Sequence, residues 1–346
     1  MTGSSTVKAV VSQKAVAPDE TGMRLDRWFK QHYPGLGFGQ LQKLLRSGQV
    51  RVDGGRVKTN TRLSVGQTVR IPPMGKSAAP KPQTMNTIRD STDRKVIEDA
   101  MLYEDDLVMV INKPAGLAVQ GGSGLNRHVD GMLEAFRDKK GQKPRLIHRI
   151  DRDTSGVLVI AKTRKAASDL SVAFRSRTAR KVYWALLRGL PKPLQGKIST
   201  YLARGEGEEA DRMQIVKHGD NSAQHSVSLY SVVEHAGQSL SWVAMKPVTG
   251  RTHQLRAHAA HIGHPIVGDP KYFNVQNWEL PAGIQDRLHL LARRIVLPHP
   301  NGGTIDVTAP LPPHMQQSWA VLGFERVDDG DEDSDLFAEL EKRTKR

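Results

Sequence analysis

The run from Arg145 to Thr163, RLIHRIDRDTSGVLVIAKT, constrains this chain more than any other. Its second half is an unbroken apolar stretch of the kind found in strands buried on both faces. Its first half packs His148, Arg149, Asp151, Arg152, Asp153, Thr154 and Ser155 into eight positions directly before that strand. Polar groups crowded against a core strand are costly unless they pair or act. The plain alternative is a loop in which Asp and Arg cap and pair, since purely structural ion networks look alike.

A second run, PVTGRTHQLRAHAAHIGHPIVGDPKY, spans Pro247 to Tyr272. Its spacing predicts a helix over 251–262, on which Arg251, Leu255, His258 and Ile262 share one face. An arginine in the first turn beside an apolar stripe makes sense if it enters a pocket and neutralises a buried carboxylate. A half-exposed arginine at a helix start is the simpler reading. His253, His258, His261 and His264 invite a zinc site, but no Glu stands at the position of an HExxH motif and the histidines scatter around the helix. Ser155 lies in Asp-Thr-Ser-Gly-Val, which is no nucleophile elbow. Gly121–Gly124 lacks the Lys-Ser/Thr of a phosphate loop.

The third run, AFRSRTARKVYWALLRG, groups Arg175, Arg177, Arg180 and Lys181 ahead of Tyr183 and Trp184 at the head of a strand. Cations beside an aromatic suit the holding of a nucleic-acid backbone while a base is stacked. A basic loop on a hydrophobic strand is the alternative. Period two sends Tyr183 and Trp184 to opposite faces.

Ahead of these runs the chain changes character. Residues 1–20 read as a frayed tail and not as a signal peptide. Residues 21–74 form a compact unit: Leu25, Trp28, Phe29 and His32 mark one helical face, Leu41, Leu44 and Leu45 a second short helix, and Val50, Val52 and Val57 a hairpin around Asp53-Gly54. The polar sides of its helices carry Arg27, Lys30, Lys43 and Arg46, which suits an RNA backbone or an ordinary solvated face. Residues 75–95 turn polar and proline-containing, as a flexible linker does. A larger domain follows over 96–324, with strands expected at 107–112, 157–161, 182–187, 226–233 and 239–246 and helices at 131–137, 164–174 and 251–262. Strands and long helices do not alternate, so the expected class is α+β with a mostly antiparallel mixed sheet. Residues 325–346 read as a mobile charged tail, in which Leu336, Phe337 and Leu340 have the spacing of a short docking helix.

Lys and Arg total 51 against 36 Asp and Glu, a net charge of +15. A field of that sign attracts polyanions, nucleic acid foremost. The absence of cysteine removes disulfides, cysteine–zinc sites and thiol catalysis, and it fits a reducing cytoplasm. No stretch approaches the ~18 apolar residues of a membrane span, so no membrane association is expected.

Two resemblances sharpen this. RLDRWFKQHYPGLGFGQLQKLLRSGQVRVDGGRVKTNTRLSVGQTVRI resembles an S4 domain, a small RNA-binding module of a ribosomal protein and several RNA-modifying enzymes. HRIDRDTSG, KVYWAL and GRTHQLRAH, with YEDDLVMVINKPAGLAVQGGSG ahead of them, resemble the motifs of RluA-type RNA pseudouridine synthases, with Ile150 where leucine is usual. The resemblance implies the pseudouridine synthase fold, Asp151 as the catalytic residue and Arg149 beside the target site. It also implies that Tyr183 stacks on a flipped uracil, Arg251 pairs with Asp151 and Leu255 helps wall the pocket. Arg175 and Lys181, with Arg27, Lys43 and Arg46 of the first unit, are then substrate-binding. The implied substrate is RNA, 23S ribosomal RNA or its large-subunit precursor, acted on by a cytoplasmic monomer without cofactor or metal. The residues leave open whether Asp151 attacks the sugar, attacks the base or removes a sugar proton. A non-catalytic RNA-binding protein remains the second reading. A hydrolase using Asp151 and Asp153 is disfavoured, because carboxylates two residues apart on an extended segment point oppositely.

Overall fold

The structure is a computed structural model. It describes residues 11–33, 35–73, 87–121, 127–139, 141–276, 278–325, 337 and 340. It divides into two compact units, 1–87 and 88–346.

In the first unit, β1 (Ser12–Ala15), α1 (Leu25–His32), α2 (Phe38–Arg46), β2 (Arg51–Val52) and β3 (Thr68–Ile71) enclose a core of Leu25, Trp28, Phe29, Leu41, Leu45 and Val69. The expected helix faces are present and the chain turns at Asp53-Gly54, but Val57 lies in no strand, because β2 pairs with β3 instead. The expected tail over 1–20 is not what its described part forms: β1 pairs antiparallel with β3, and Val16 and Glu20 are buried. A period-two signal is too short to read in four exposed residues; the pairing depends on β3, more than fifty residues away. Glu20 is kept by donors. Burial alone would raise its pKa, but the N–H of Ala17 at 3.0 Å, the indole of Trp28 at 2.8 Å and His32 at 2.6 Å hold it below the ordinary value. Arg27, Lys30, Lys43 and Arg46 are exposed.

The second unit opens with α3 (Thr87–Asp99), where the linker was expected. Ile97 and Asp93 are buried, and Arg127 reaches Asp93 at 3.3 Å. The helix was illegible because its apolar positions are few among charges. Linker residues 75–86 lie outside the described residues. The unit continues through β4 (Met101–Glu104), β5 (Val108–Lys113), α4 (Val129–Met132), β6 (Arg145–Leu146), β7 (Ser155–Ala161), α5 (Arg164–Arg175), β8 (Arg180–Arg188) and β9 (Gln195–Arg204). Next come β10 (Met213–Val216), β11 (Gln224–Ala236), β12 (Leu240–Pro247), α6 (Gln254–His261), β13 (Leu290–Pro298), β14 (Thr304–Thr308) and α7 (Pro313–Leu322).

Its strands form one 11-stranded sheet in the order β10-β9-β11-β12-β8-β13-β7-β5-β4, with β14 on β13 and β6 on β7. Every pairing between these strands is antiparallel except β13 with β7. The unit is therefore the α+β domain with a mostly antiparallel mixed sheet that the sequence led to. Side chains alternate between two cores as the pleat requires. Val157, Val159, Trp184 and Trp242 join α5 and α7 on one face, while Leu158, Ile160, Val243 and Met245 face α3, α4 and α6 on the other. Phe337 and Leu340 are buried in the first of these cores, so that part of the C-terminal segment is packed rather than mobile. The parallel pair fixes one glycine. Gly156 has φ 108°, and a Cβ there would overlap the carbonyl of Ala292. Among the described residues no helix is long and apolar enough to cross a membrane.

Candidate active site

The polar loop expected before the buried strand joins β6 to β7, just before β7 meets β13 inside the sheet. Asp151 lies on it with its side chain 18% exposed. Three contacts shape the loop. The Nζ of Lys113, at the end of β5, donates to the carbonyls of Pro114, Leu117 and Arg152 at 2.8–2.9 Å. Gly116 N–H donates to the same Arg152 carbonyl at 2.9 Å. His148 Nε2 accepts the N–H of Val159 at 2.8 Å, and its ring stacks on Phe174 of α5, 4.6 Å between centroids. Burial holds His148 down to about 3, Lys181 adding to the effect, so its imidazole is neutral. Burial draws Lys113 down to about 7 against the pull of Asp153 and Asp151. The clustered polar residues thus divide into those that build the loop and the one carboxylate the loop presents.

Opposite stands α6, and here the structure corrects the sequence reading. The helix begins at Gln254, not at residue 251, because His253 takes a left-handed backbone with φ 49°. Arg251 therefore precedes the helix. It is exposed, and its Nε donates to the carbonyl of His225 at 3.3 Å. The arginine facing Asp151 is Arg256, 1% exposed, with Nη1 3.9 Å from Oδ2 of Asp151. Its Nε and Nη2 bind the buried carboxylate of Asp269 at 2.7 and 2.6 Å. Asp269 also accepts the N–H groups of Lys271 and Tyr272 at 2.9 and 3.1 Å. Burial works against the charge of Arg256, and Asp269 and Asp151 more than offset it, raising its pKa. A planar fork held on one edge aims its other edge without cost in side-chain freedom.

The register of α6 is set by a buried polar network. Gln254 accepts from Thr249 Oγ1 at 2.6 Å and donates to the Val227 carbonyl and Ser228 Oγ at 2.9 Å. His258 bridges Ser228 Oγ at 2.9 Å to Thr200 and Ser226 at 2.9 and 3.0 Å. Burial lowers His258 to about 4. Among the described residues no three His, Asp or Glu side chains converge as metal ligands would.

Tyr183 on β8 faces the same space. Burial first, then the charge of Asp151, push its phenol well above the ordinary value. Trp184 turns to the opposite core, as period two required. Asp151, Tyr183, Leu255, Arg256, Lys181 and Arg149 line one cavity of about 900 Å³. Arg175, Arg177 and Arg251 stand at it, exposed. Asp153 does not line it; it pairs with Arg152 at 3.4 Å. Arg27, Lys43 and Arg46 belong to the other unit. Lys113, Arg256 and Asp269 were missed from sequence. The available signals were a lysine closing an apolar strand in INKPAG and an acid after glycine in GDPKY.

Such a cavity can hold a planar base against a phenol, beside one carboxylate backed by a buried guanidinium, with cations at the mouth for phosphates. Comparison with known proteins gives the family. Residues 107–261 match the family described as RNA pseudouridylate synthase. The chain is 36% identical over 318 residues to ribosomal large subunit pseudouridine synthase C of Haemophilus influenzae, covering 90% of this chain and 94% of that one. It is 35% identical over 304 residues to the enzyme of the same name from Yersinia pestis, covering 87% and 92%. The solved structure of human RNA pseudouridylate synthase domain containing 4 superposes with a TM-score of 0.59 at 26% identity, covering 70% of this chain and 100% of that one. This chain belongs to the RNA pseudouridylate synthase family and is an enzyme that isomerises uridine in RNA to pseudouridine.

Proposed function

We propose that this enzyme modifies the RNA of the large ribosomal subunit, 23S rRNA or its precursor, and that the cavity around Asp151 is where the uridine reacts. The observation that carries the reading is the convergence on one cavity of Asp151, Tyr183, Leu255 and Arg256 from three separate sequence segments. The likeness over most of the chain to synthases named for the large subunit supports the choice of RNA.

The reaction breaks C1′–N1 and joins C1′ to C5, with no net change of composition or oxidation state. The uridine must leave its stack first, at roughly a few kcal/mol. Tyr183 offers a new stack, worth about 1–3 kcal/mol per base. Asp151 acts as the catalytic carboxylate, and Arg256, in the role expected of Arg251, faces it and orients it. Leu255 walls the base. Arg149 and Arg175 bind the RNA, Lys181 meets the flipped base itself, and no cofactor enters. The N-terminal unit is an S4-like module whose Arg27, Lys43 and Arg46 hold a second stretch of the same RNA. The enzyme works as a cytoplasmic monomer.

Mapping pseudouridines in ribosomal RNA from cells lacking the protein tests the assignment. Loss of defined sites in 23S rRNA, restored by the intact gene but not by one encoding Asp151→Asn, is expected. An unchanged 23S map with lost sites in another RNA would reject the proposed substrate.

A further inference from the structure

Heterolysis of C1′–N1 leaves the bonding pair on the base. Uracil then carries one negative charge, spread over N1, O2 and O4, until C5 joins C1′. C1′ is satisfied meanwhile by an oxygen of Asp151 or by loss of the C2′ proton to it. If Asp151 adds to the ring instead, the charge falls on the base all the same. At the end the C5 proton leaves and N1 gains one. An anion forming in a half-enclosed cleft needs a cation placed in advance, and such placement is often the largest single contribution to catalysis.

The cations near Asp151 are mostly committed. Arg256 is bound on one edge by Asp269 and faces Asp151 with the other. Lys113 is enclosed by three carbonyls. Arg251 is held by the His225 carbonyl. Arg149, Arg175 and Arg177 are exposed, where water screens them. Lys181 differs. It is half-buried, it lines the cavity, and among the described residues no hydrogen bond or ion pair reaches its ammonium. It stands two residues from Tyr183 on β8, so both side chains leave the same face of the strand. The groups recorded against it are uncharged: the Phe174 ring, 5.9 Å from Nζ, and the neutral His148 stacked on that ring.

We propose that Lys181 is a catalytic residue whose ammonium donates a hydrogen bond to the uracil anion as the glycosidic bond breaks. The role rests on the reading of this cavity as the uridine pocket. Burial lowers the pKa of Lys181, which marks an ammonium short of counterions, so an arriving anion stabilises it more than it would a solvated lysine. Phe174 and His148 then serve as positioning residues, forming a dry, uncharged wall behind it.

The test is Lys181→Met, which keeps the stem and removes the charge, beside Lys181→Arg, which keeps the charge. Single-turnover rates at saturating RNA, RNA affinity and its salt dependence are measured on full-length protein with an unfolding midpoint matching the parent; Lys181→Gln replaces the Met variant if that one fails to fold. The Met variant is expected to lose about 10²–10³ in rate, with affinity within about threefold and the salt slope unchanged. Lys181→Arg should recover at least a tenth of the parent rate. A Met variant within about threefold of the parent rate overturns the proposal. So does one that keeps its saturated rate but loses affinity and about one unit of salt slope, because Lys181 would then be a phosphate anchor. Asp151→Asn in the same assay separates the layers. If it is active, the pocket itself is misassigned. If it is inactive while Lys181→Met is fast, only the role of Lys181 falls.

Discussion

At the scale of the residue, the site separates chemistry from affinity. Asp151 is one carboxylate in a cavity whose mouth is ringed by cations, and binding to RNA comes mainly from cation–phosphate contacts. Asp151→Asn is therefore expected to abolish isomerisation and to leave RNA affinity within a few-fold. Filter binding beside product analysis checks this, and full activity in the Asn variant would remove Asp151 from the mechanism. Arg256 has to satisfy Asp269 on one edge and face Asp151 on another, a geometry open to a planar guanidinium and closed to an ammonium. Arg256→Lys should thus lose about as much turnover as Arg256→Ala. Arg251→Ala, exposed at the rim, should lower affinity modestly and keep most of the saturated rate. The reverse ranking of the two arginines in a kcat comparison would return the pairing role to Arg251. Both arginines stand in the same motif, and the spacing favours Arg251 only for a helix that starts at 251; the choice depends on where α6 begins, which the left-handed His253 decides.

At the scale of the element, two strands meeting in parallel set the site. Asp151 precedes β7, and β7 pairs with β13 only at Leu291↔Ser155 and Ala292↔Gly156. Gly156→Ala would push a methyl into the Ala292 carbonyl at a positive φ, so a loss of roughly 2–4 kcal/mol is expected from the denaturant midpoint. A near-parent midpoint would show that the close approach can relax. The loop before β7 is held from behind by His148, which must stay neutral to accept the Val159 N–H. Its folded pKa of about 3 lies below the ordinary 6.5, so the unfolded chain binds a proton that the folded one refuses. Stability is full above about 6.5 and falls as pH drops toward 3, by about 1.4 kcal/mol per pH unit for this one group. Urea midpoints at pH 7.5 and 5 should show the decline, and His148→Gln, whose amide oxygen also accepts a hydrogen bond, should flatten it by about that slope. An unchanged slope in the Gln variant would place the acid sensitivity elsewhere, His258 and His289 being the next groups, each at about 4.

At the scale of the whole molecule, the units divide at residue 87. A truncation that begins at Thr87 keeps α3, whose Ile97 belongs to the catalytic core; one that begins at 96 removes most of that helix. The first truncation should fold and keep its chemistry, since Asp151, Tyr183 and Arg256 all lie beyond the cut. It should lose affinity for large structured RNA, because two tethered sites exceed either alone by about 10²–10⁴. It should also show a shallower salt dependence, with fewer phosphates neutralised. Initial rates against RNA concentration at two salt levels test this. A sharp drop in the saturated rate with unchanged affinity and salt slope would make the N-terminal unit part of the catalytic assembly.

Much of this was determined by the sequence alone. A buried strand, a polar loop before it and alternating faces are local, since the period of apolar residues follows from the geometry of the backbone. The α+β class, the division into two units, the opposite faces of Tyr183 and Trp184 and the place of Asp151 follow from such signals together with the quoted motifs. Tertiary structure decided which polar groups meet. Lys113 reaches the Arg152 carbonyl across 39 residues, and Asp269 clamps Arg256 across 13. β1 is a strand because β3 pairs with it, and Phe337 and Leu340 are buried because a sheet face lies under them. Each depends on a partner distant in the chain, so no local pattern records it. The pairing of Arg256 with Asp151 is of this kind: a contact between a loop and a helix that only the folded sheet brings together.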